Sequence, residues 1–381
     1  MKKILLTALL FCFIVAEDEF FEPATSLGGY GEMHFDMKAN DGDGKLDFHR
    51  FIFYIKHQFS PTWSMMSEIE VEHNMVGSEK ALGYKGGYLA MEQAHLNYWN
   101  GNWGFKGGVL LVPAGIINEY HEPPTFMSVE RPEYAKYIIP TTWFDNGFAF
   151  YGKLSDFNWN VTFTGDLDGD DISNGIRSAR EKGHYSKASS WTKTVQGSYT
   201  GITGLKVGGS MTMNDAPTDA VDAVDGIDAT TEYVPVWNET TQMWDMEEVT
   251  TEAVDAVDAI PAGTVGVSLT EFNATYAANN IYARMEYGVI NYTDNPDGVE
   301  SSSGYYVDLG YDIASLVGCG DDTSLYLWTR LSSYNRDDAS DPKDIMLYGV
   351  TYKPMNNISF KFETGTAGDD DVMRVGLGYM F

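Results

Sequence analysis

The chain has little cysteine, little basic charge and no long apolar run. Its 381 residues include two cysteines, Cys12 and Cys319, and 25 Lys or Arg stand against 55 Asp or Glu, a formal net charge of −30. So few cysteines exclude a disulfide framework. The negative charge disfavours nucleic acid as a partner, because the phosphate backbone repels it. Every apolar run falls short of the roughly 20 residues that a membrane-spanning helix needs.

The first sixteen residues, MKKILLTALLFCFIVA, have the three-part layout of a secretory signal peptide. Lys2 and Lys3 precede an apolar run that ends at Ala16, and acidic residues follow. We therefore expect residues 1–16 to be removed on export and residues 17–381 to form the mature chain.

Aromatic residues make up 14% of the chain, and glycine occurs 39 times. An exported chain of this composition fits either a transmembrane β-barrel or a large soluble all-β protein. The two differ in where the apolar strand faces lie. A membrane barrel turns them towards lipid, whereas a soluble protein packs them in its interior.

Sixteen segments of about ten residues show the period-two alternation of β-strands. Short connections, such as Asn100-Gly101, alternate along the chain with longer ones, such as 113–141 and 215–264. An up-and-down membrane barrel has this arrangement, with short turns at one end and longer loops at the other. The sequence therefore predicts an all-β fold, a transmembrane antiparallel barrel of about 16 strands, with 14 or 18 left open.

Charged residues indicate which strand faces point inward. Glu68, Glu70 and Glu72 alternate with apolar neighbours in one strand. An arginine on the lipid face near the membrane centre costs roughly 2–4 kcal/mol. Arginines within other strands, such as Arg50 and Arg330, are therefore expected to face the interior or to lie close to a headgroup interface.

The third long connection, 113–141, is too apolar for a solvated loop and also carries many charges. We expect it to be an outer loop that folds inward and narrows the pore; the alternative is a loop that caps the outer rim or makes subunit contacts. The residues predicted to line the pore or its constriction are Arg50, Glu68, Glu70, Glu72, Glu119, His121, Glu122, Glu130, Arg131, Lys136, Arg284 and Arg330.

The sequence contains no pattern that indicates catalysis. His121 and Glu122 lack a second histidine at the spacing of a zinc protease, and Pro123-Pro124 prevents a helix from continuing there. No serine nucleophile motif or phosphate-binding glycine loop is present. We therefore predict no enzymatic activity, no cofactor and no metal site.

The longest connection, 215–264, holds thirteen Asp or Glu and no Lys or Arg. Its sequence AVDAVD at 220–225 recurs at 253–258, which indicates a local duplication or a small hairpin on the barrel. Whether its carboxylates bind divalent cations is left open. A surface adhesin or receptor barrel acting through this loop is the alternative function.

Several runs resemble outer-membrane porins of the phosphate-selective porin O and P group. They lie within residues 27–153 and include GGVLLVPAGIINEYHEPP at 107–124 and YIIPTTW at 137–143. The resemblance implies a trimeric sixteen-stranded channel with an inward third loop that passes small solutes. The arginine and lysine ladder that carries phosphate preference in that family is missing here, so ion preference is left open.

The C-terminal residues GYMF, ending at Phe381, resemble the signal that the outer-membrane assembly machinery reads on a last strand. Together these features predict a porin of the bacterial outer membrane. Its expected partners are outer-membrane lipid, two further copies in a homotrimer and the assembly machinery. Its expected activity is passive diffusion of small hydrophilic solutes or ions.

Overall fold

The computed structural model describes residues 21–37, 44–77, 86–223, 230–251, 259–320 and 322–381. Sixteen of its strands form one closed antiparallel barrel, and two form a separate hairpin. The sixteen predicted strands are thereby confirmed, each within a few residues of its expected position. The predicted signal peptide, 1–16, lies outside the described residues and stays a prediction.

The barrel strands are β1 Ala24–Asp36, β2 Lys45–Gln58, β3 Trp63–Glu72, β4 Leu89–Trp99, β5 Trp103–Leu111, β6 Phe144–Leu154, β7 Phe157–Thr164, β8 Thr192–Ile202, β9 Leu205–Thr218, β12 Gly263–Ala278, β13 Ile281–Thr293, β14 Ser301–Asp312, β15 Ser324–Asn335, β16 Lys343–Met355, β17 Ile358–Ala367 and β18 Asp370–Met380. The hairpin strands are β10 Thr230–Asn238 and β11 Met243–Thr251. Two one-turn helices, α1 Ile116–Glu119 and α2 Tyr134–Tyr137, lie between β5 and β6. Short 3-10 turns span Pro123–Thr125, Gly169–Asp171 and Ala314–Val317.

Closure of the barrel joins the first strand to the last. β1 pairs with β18 in a register that sets Tyr30 opposite Met380 and Asp36 opposite Arg374. The backbones of Gly29 and Phe381 exchange two hydrogen bonds of 3.0 Å beyond that ladder. No edge strand is left in the barrel, so no barrel strand offers an unpaired edge to another chain.

The barrel strands turn apolar side chains outward and charged side chains inward, which is the reverse of a soluble protein. Along β13, Met285 and Tyr287 are exposed, whereas Arg284 and Glu286 are buried. The same alternation recurs in β17, where Phe360 is exposed. Outward apolar and inward polar faces are what a barrel in lipid requires. Among the described residues, no helix is both long enough and apolar enough to cross a membrane.

The acidic connection contains the hairpin that the sequence led us to expect. β9 pairs directly with β12, so the chain leaves the barrel after Thr218, forms β10 and β11, and rejoins at Gly263. Val221 bridges to Ile260 at the base of this excursion. The second copy of the AVDAVD repeat, 253–258, lies outside the described residues.

Candidate functional site

The chain between β5 and β6, residues 112–143, is the most buried of the long connections; we call it the anchored segment. Its prolines prevent long helices and limit it to α1, a 3-10 turn and α2. Asn118 ties its two ends together. The amide nitrogen of Asn118 donates to the carbonyl oxygen of Val112 (2.9 Å), and its amide oxygen accepts from the backbone N–H of Trp143 (2.8 Å).

Apolar side chains of the anchored segment form part of the main hydrophobic cluster of the molecule. Each of the members lent by this segment is at most about 2% exposed. They are Val112, Ala114, Ile117, Phe126, Met127, Tyr134, Ala135, Ile138, Ile139 and Trp143. Burial of this much apolar surface explains why the segment is not a solvated loop.

Glycines on the inward strand faces make room for the segment. A Cβ atom built on Gly376 would lie 2.9 Å from Val129, and one built on Gly378 would collide with Pro123. A Cβ atom built on Gly288 would collide with the hydroxyl oxygen of Tyr134. The segment therefore packs directly on the backbone of β18 and β13.

Two buried carboxylates of the strands accept hydrogen bonds from the backbone of the anchored segment. Glu286 on β13 accepts from the N–H of Ile116 (3.0 Å), and Glu363 on β17 accepts from the N–H of Val129 (2.7 Å). Both carboxylates are at most 1% exposed. These two bonds hold the segment at two distant points of the barrel wall.

Basic side chains of the strands hold the carbonyl groups of the same segment. The ammonium group of Lys361 donates to the carbonyl oxygens of Pro123 and Ser128, each at 2.7 Å. Lys353 donates to Pro124, at 2.6 Å. Arg284 donates to the carbonyl oxygen of Thr125 (2.9 Å), and Thr351 to that of Met127 (2.6 Å).

Acidic side chains of the segment reach strands elsewhere in the barrel. Glu130 bonds to the imidazole of His34 on β1 (2.7 Å), and Glu119 accepts from Gln196 on β8 (2.5 Å). Burial works against ionisation of Glu130, but His34 outweighs it and holds the pKa of Glu130 well below its usual range. Burial raises the pKa of Glu119 and outweighs the opposing effects of Lys206 and Gln196.

Several charged residues of the strands pair with one another. Arg50 lies 2.7 Å from Glu32 and 3.1 Å from Glu70. Arg330 binds both carboxylate oxygens of Asp308, at 2.6 and 2.7 Å. Burying one of these charged side chains without a partner would cost several kcal/mol. Together, such costs would be on the order of the whole stability of a domain.

Two cavities flank the anchored segment. The first, about 520 Å³, lies towards the short turns and is called the turn-side cavity. The second, about 540 Å³, lies towards the long loops and is called the loop-side cavity. Their linings have no residue in common.

Most of the residues predicted to line a pore fall in one of these cavities. The loop-side lining includes Arg50, Glu72, Glu130, Arg131, Lys136 and Arg330. The turn-side lining includes Glu68, Glu119, His121 and Glu122. Glu70 and Arg284 are in neither lining: Glu70 pairs with Arg50, and Arg284 binds the backbone of the segment. Their role in a pore stays a prediction.

Three residues that contact the segment are not among those predicted from the sequence. Lys353 holds Pro124, Arg180 donates to the carbonyl oxygens of Thr141 and Thr142 (2.7 and 3.0 Å), and Glu92 faces His121. Burial, reinforced by Arg177, lowers the pKa of Arg180 to about 9. One signal was present: Glu92 and Gln93 are consecutive polar residues that break the strand alternation.

Two groups of histidine and carboxylate side chains occur among the described residues. One consists of Glu68, Glu92 and His121 and is fully buried; the other consists of Asp47, His49 and His73 and is partly exposed. Burial disfavours the imidazolium form of His121, but its two carboxylate neighbours outweigh burial and raise its pKa to about 10.

Solved structures with similar folds include porins and other proteins of the bacterial outer membrane. OmpF of Salmonella typhi, in complex with daunomycin, has a TM-score of 0.57 and 12% identity, covering 94% of this chain and 97% of that one. The fold is that of bacterial outer-membrane porins. The anion-selective porin of Comamonas acidovorans has a TM-score of 0.55 and 10% identity, covering 94% and 100%. OmpT of Vibrio cholerae, in a trimer form, has 0.55 and 10%, covering 95% and 99%.

Sequence comparison adds less. No protein-family profile matches the chain. An uncharacterised protein of Aquifex aeolicus (strain VF5) is 45% identical over 129 residues, which are 33% of this chain and 29% of that protein. The match thus spans about a third of this chain and less than a third of that protein. The resemblance to the phosphate-selective porin O and P group stays a prediction, because these comparisons do not distinguish it.

Proposed function

We propose that the chain is a porin of the bacterial outer membrane, through which small hydrophilic solutes or ions diffuse passively. The observation that carries this is the closed barrel with exposed apolar and buried charged strand faces. Lipid covers the outward face, and solutes pass along the charged interior. No catalytic step is part of the proposal.

The anchored segment is the constriction of this channel. It folds into the barrel as the third outer loop and separates the loop-side cavity from the turn-side cavity. Support comes from its hydrogen bonds to β1, β8, β13, β16 and β17, which are distributed around the barrel. A segment that contacts such widely separated strands crosses the space between them.

The channel discriminates weakly between anions and cations. The loop-side lining carries more basic than acidic groups: Arg50, Arg131, Lys136, Arg177, Arg330, Lys343 and Arg374 against Glu72, Glu130 and Glu133. Most of that excess is neutralised in ion pairs, such as Arg330 with Asp308 and Arg374 with Glu363 (3.0 Å). Rings of unpaired charge are what give strong selectivity.

Three partners belong to the proposal. Outer-membrane lipid meets the apolar outward face. Two further copies form a homotrimer, as OmpT of Vibrio cholerae does in its trimer form. The assembly machinery binds the last strand at Phe381, whose side chain is exposed.

Conductance of the purified protein in a planar lipid bilayer tests the function. We expect discrete single-channel steps and, in a salt gradient, a reversal potential that corresponds to a permeability ratio below about threefold. A folded preparation that gives no steps contradicts the channel. A larger ratio contradicts only the weak selectivity.

A receptor or adhesin role of the hairpin is the second candidate. Trp237 and Trp244 lie on β10 and β11, pair at 5.4 Å between ring centroids and are 46% and 66% exposed. Exposed aromatic pairs are typical of binding surfaces. Replacing residues 222–259 with a short linker removes ligand capture under this function and leaves conductance unchanged.

A further inference from the structure

The buried group of Glu68, Glu92 and His121 joins the anchored segment to two strands. Glu68 lies on β3, Glu92 on β4 and His121 follows α1. The three are 1%, 0% and 2% exposed. Nε2 of His121 lies 3.5 Å from a carboxylate oxygen of Glu68 and 3.6 Å from one of Glu92.

A β-bulge directs Glu92 into this group. Glu68 pairs with Gln93, and Ile69 pairs with Met91, so Glu92 is the extra residue of β4. A bulge turns a side chain to a face it would otherwise leave. Gln93 faces the same way, and its amide nitrogen donates to the other oxygen of Glu68 (2.6 Å).

Neighbouring groups fix the orientation of His121. Its Nδ1 lies 3.1 Å from the carbonyl oxygen of Asn118 and donates its proton to it, which leaves Nε2 as the nitrogen that can bind a metal. Asn118 is itself held at both ends of the segment. Arg131 donates to the carbonyl oxygen of His121 (3.2 Å). Metal-binding histidines commonly have such a second hydrogen bond to a carbonyl group.

Four buried polar atoms of this group have no hydrogen-bond partner among the described residues. They are Oε1 of Glu68, both carboxylate oxygens of Glu92 and Nε2 of His121. Buried acceptors left in this way are costly unless something positive lies between them. A proton on Nε2 of His121 does not satisfy these acceptors well. The distance of 3.5 Å from Nε2 to the oxygen of Glu68 exceeds the length of a normal hydrogen bond, about 2.7–3.2 Å.

The spacing suits a metal ion better. With metal–ligand distances of about 2.0–2.2 Å, neighbouring ligands of a tetrahedral site lie about 3.4 Å apart. The two distances to Nε2 are 3.5 and 3.6 Å. One imidazole nitrogen and two carboxylates suit Zn²⁺, Mn²⁺ or Fe²⁺, and the two negative charges balance a divalent ion.

We propose that Glu68, Glu92 and His121 bind one divalent transition-metal ion, which fastens the anchored segment to β3 and β4. Glu68 and His121 also line the turn-side cavity, through which the ion enters. This departs from the absence of a metal site that the sequence predicts. It goes beyond the channel function, and metal binding is measured without reference to conductance.

Calorimetric titration with Zn²⁺ tests the site on the full chain, folded in detergent and stripped of metal with a chelator. We expect one Zn²⁺ per chain, and a loss of affinity of at least about 100-fold in Glu92→Gln and in His121→Gln. Heat-dependent electrophoretic mobility verifies that each variant is folded. Co²⁺ provides an independent signature through its visible absorption when four-coordinate.

Asp47→Asn is the matched control, because it removes a carboxylate from the other histidine group. We expect its affinity for Zn²⁺ to equal that of the unaltered chain. Three results overturn the proposal: no binding by the unaltered chain, unchanged affinity in Glu92→Gln, or loss of binding in Asp47→Asn alone. If either site variant fails to fold, stoichiometric binding and the Co²⁺ spectrum of the unaltered chain, together with Asp47→Asn, decide it.

Discussion

The anchored segment and the β10–β11 hairpin are two long connections of one barrel with opposite surroundings. In the segment, Phe126 and Ile138 are fully buried. In the hairpin, Tyr233 and Trp244 are 61% and 66% exposed. The segment is hydrogen-bonded by side chains from strands around the barrel, whereas β10 and β11 pair with each other.

The difference teaches what makes a long connection part of a barrel interior. Apolar content is not sufficient, since the hairpin has exposed tryptophans. The segment also offers free backbone N–H and carbonyl groups, and the strands supply matching charges such as Glu363 and Lys361. A hairpin satisfies most of its own backbone groups, so it has little to offer to such side chains.

Deleting each connection in turn gives the largest expected contrast. Replacing residues 116–139 with a short glycine-serine linker removes the proposed constriction, and we expect single-channel conductance to rise roughly fivefold. Replacing residues 222–259 is expected to change conductance by less than about 20%. Planar-bilayer recordings measure both. Equal effects of the two deletions would contradict the assigned constriction.

Charge removal at an anchor has the next largest effect. Glu363 accepts from Val129 and also pairs with Arg374, and Glu363→Gln leaves that arginine with the more exposed Asp36 as its acidic partner. We expect the free energy of unfolding to fall by roughly 3 kcal/mol. Urea unfolding of the protein in lipid vesicles measures it.

The control for this anchor lies in the hairpin. Glu247 is exposed, so Glu247→Gln is expected to change the free energy of unfolding by no more than about 0.5 kcal/mol. A similar loss of unfolding free energy in both variants would show that Glu363 contributes no more to stability than an exposed carboxylate.

Packing at a glycine gives a smaller effect. A methyl group at Gly378 collides with Pro123 of the segment, so Gly378→Ala displaces the chain locally. We expect a loss of about 1–3 kcal/mol in unfolding free energy and noisier channel currents. Gly310→Ala is the control, because its nearest neighbour would be Trp328 at 3.3 Å, away from the segment. Quiet currents in Gly378→Ala would argue against close packing there.

Acid should loosen the anchored segment slightly. His34 holds the pKa of Glu130 below the value of about 4.3 expected in the unfolded chain. The stabilisation is therefore complete above about pH 4.3 and is lost as the pH falls below it. The Glu130 side chain is 41% exposed, so water screens the pair and the effect is the smallest of the four.

Unfolding midpoints measured at pH 3 and pH 6 test this effect. Glu130→Gln is expected to show a smaller difference between the two pH values than the unaltered chain. Identical differences in both proteins would rule out a contribution from this carboxylate.

The strands could be predicted from sequence because the alternation of polar and apolar residues within each strand reflects what lies on its two faces. Alternation in 63–74 and 157–167 is local, and lipid on one side imposes it on every strand. The anchors could not, because they join residues far apart. Ile116 meets Glu286 across 170 positions, and Val129 meets Glu363 across 234. No periodicity within a segment reports such a partner.

The proposed metal-binding group of Glu68, Glu92 and His121 could be predicted only in part from the sequence. Glu68 and His121 were both singled out from sequence as pore residues, but Glu92 was passed over. Its inward direction depends on one extra residue in β4, at a point where Glu68 pairs with Gln93. Two consecutive polar residues, Glu92 and Gln93, are compatible with this bulge and also with a turn, so the sequence does not distinguish the two.

The span between Val129 and Glu363 also bears on how the protein assembles. During synthesis the segment is made more than two hundred residues before the strand that holds it, since the two are 234 positions apart. Strands β13 and β17, which both hold the segment by hydrogen bonds, lie in the last third of the chain. Because these contacts join distant parts of the chain, we expect the anchored segment to reach its final position only when the barrel closes.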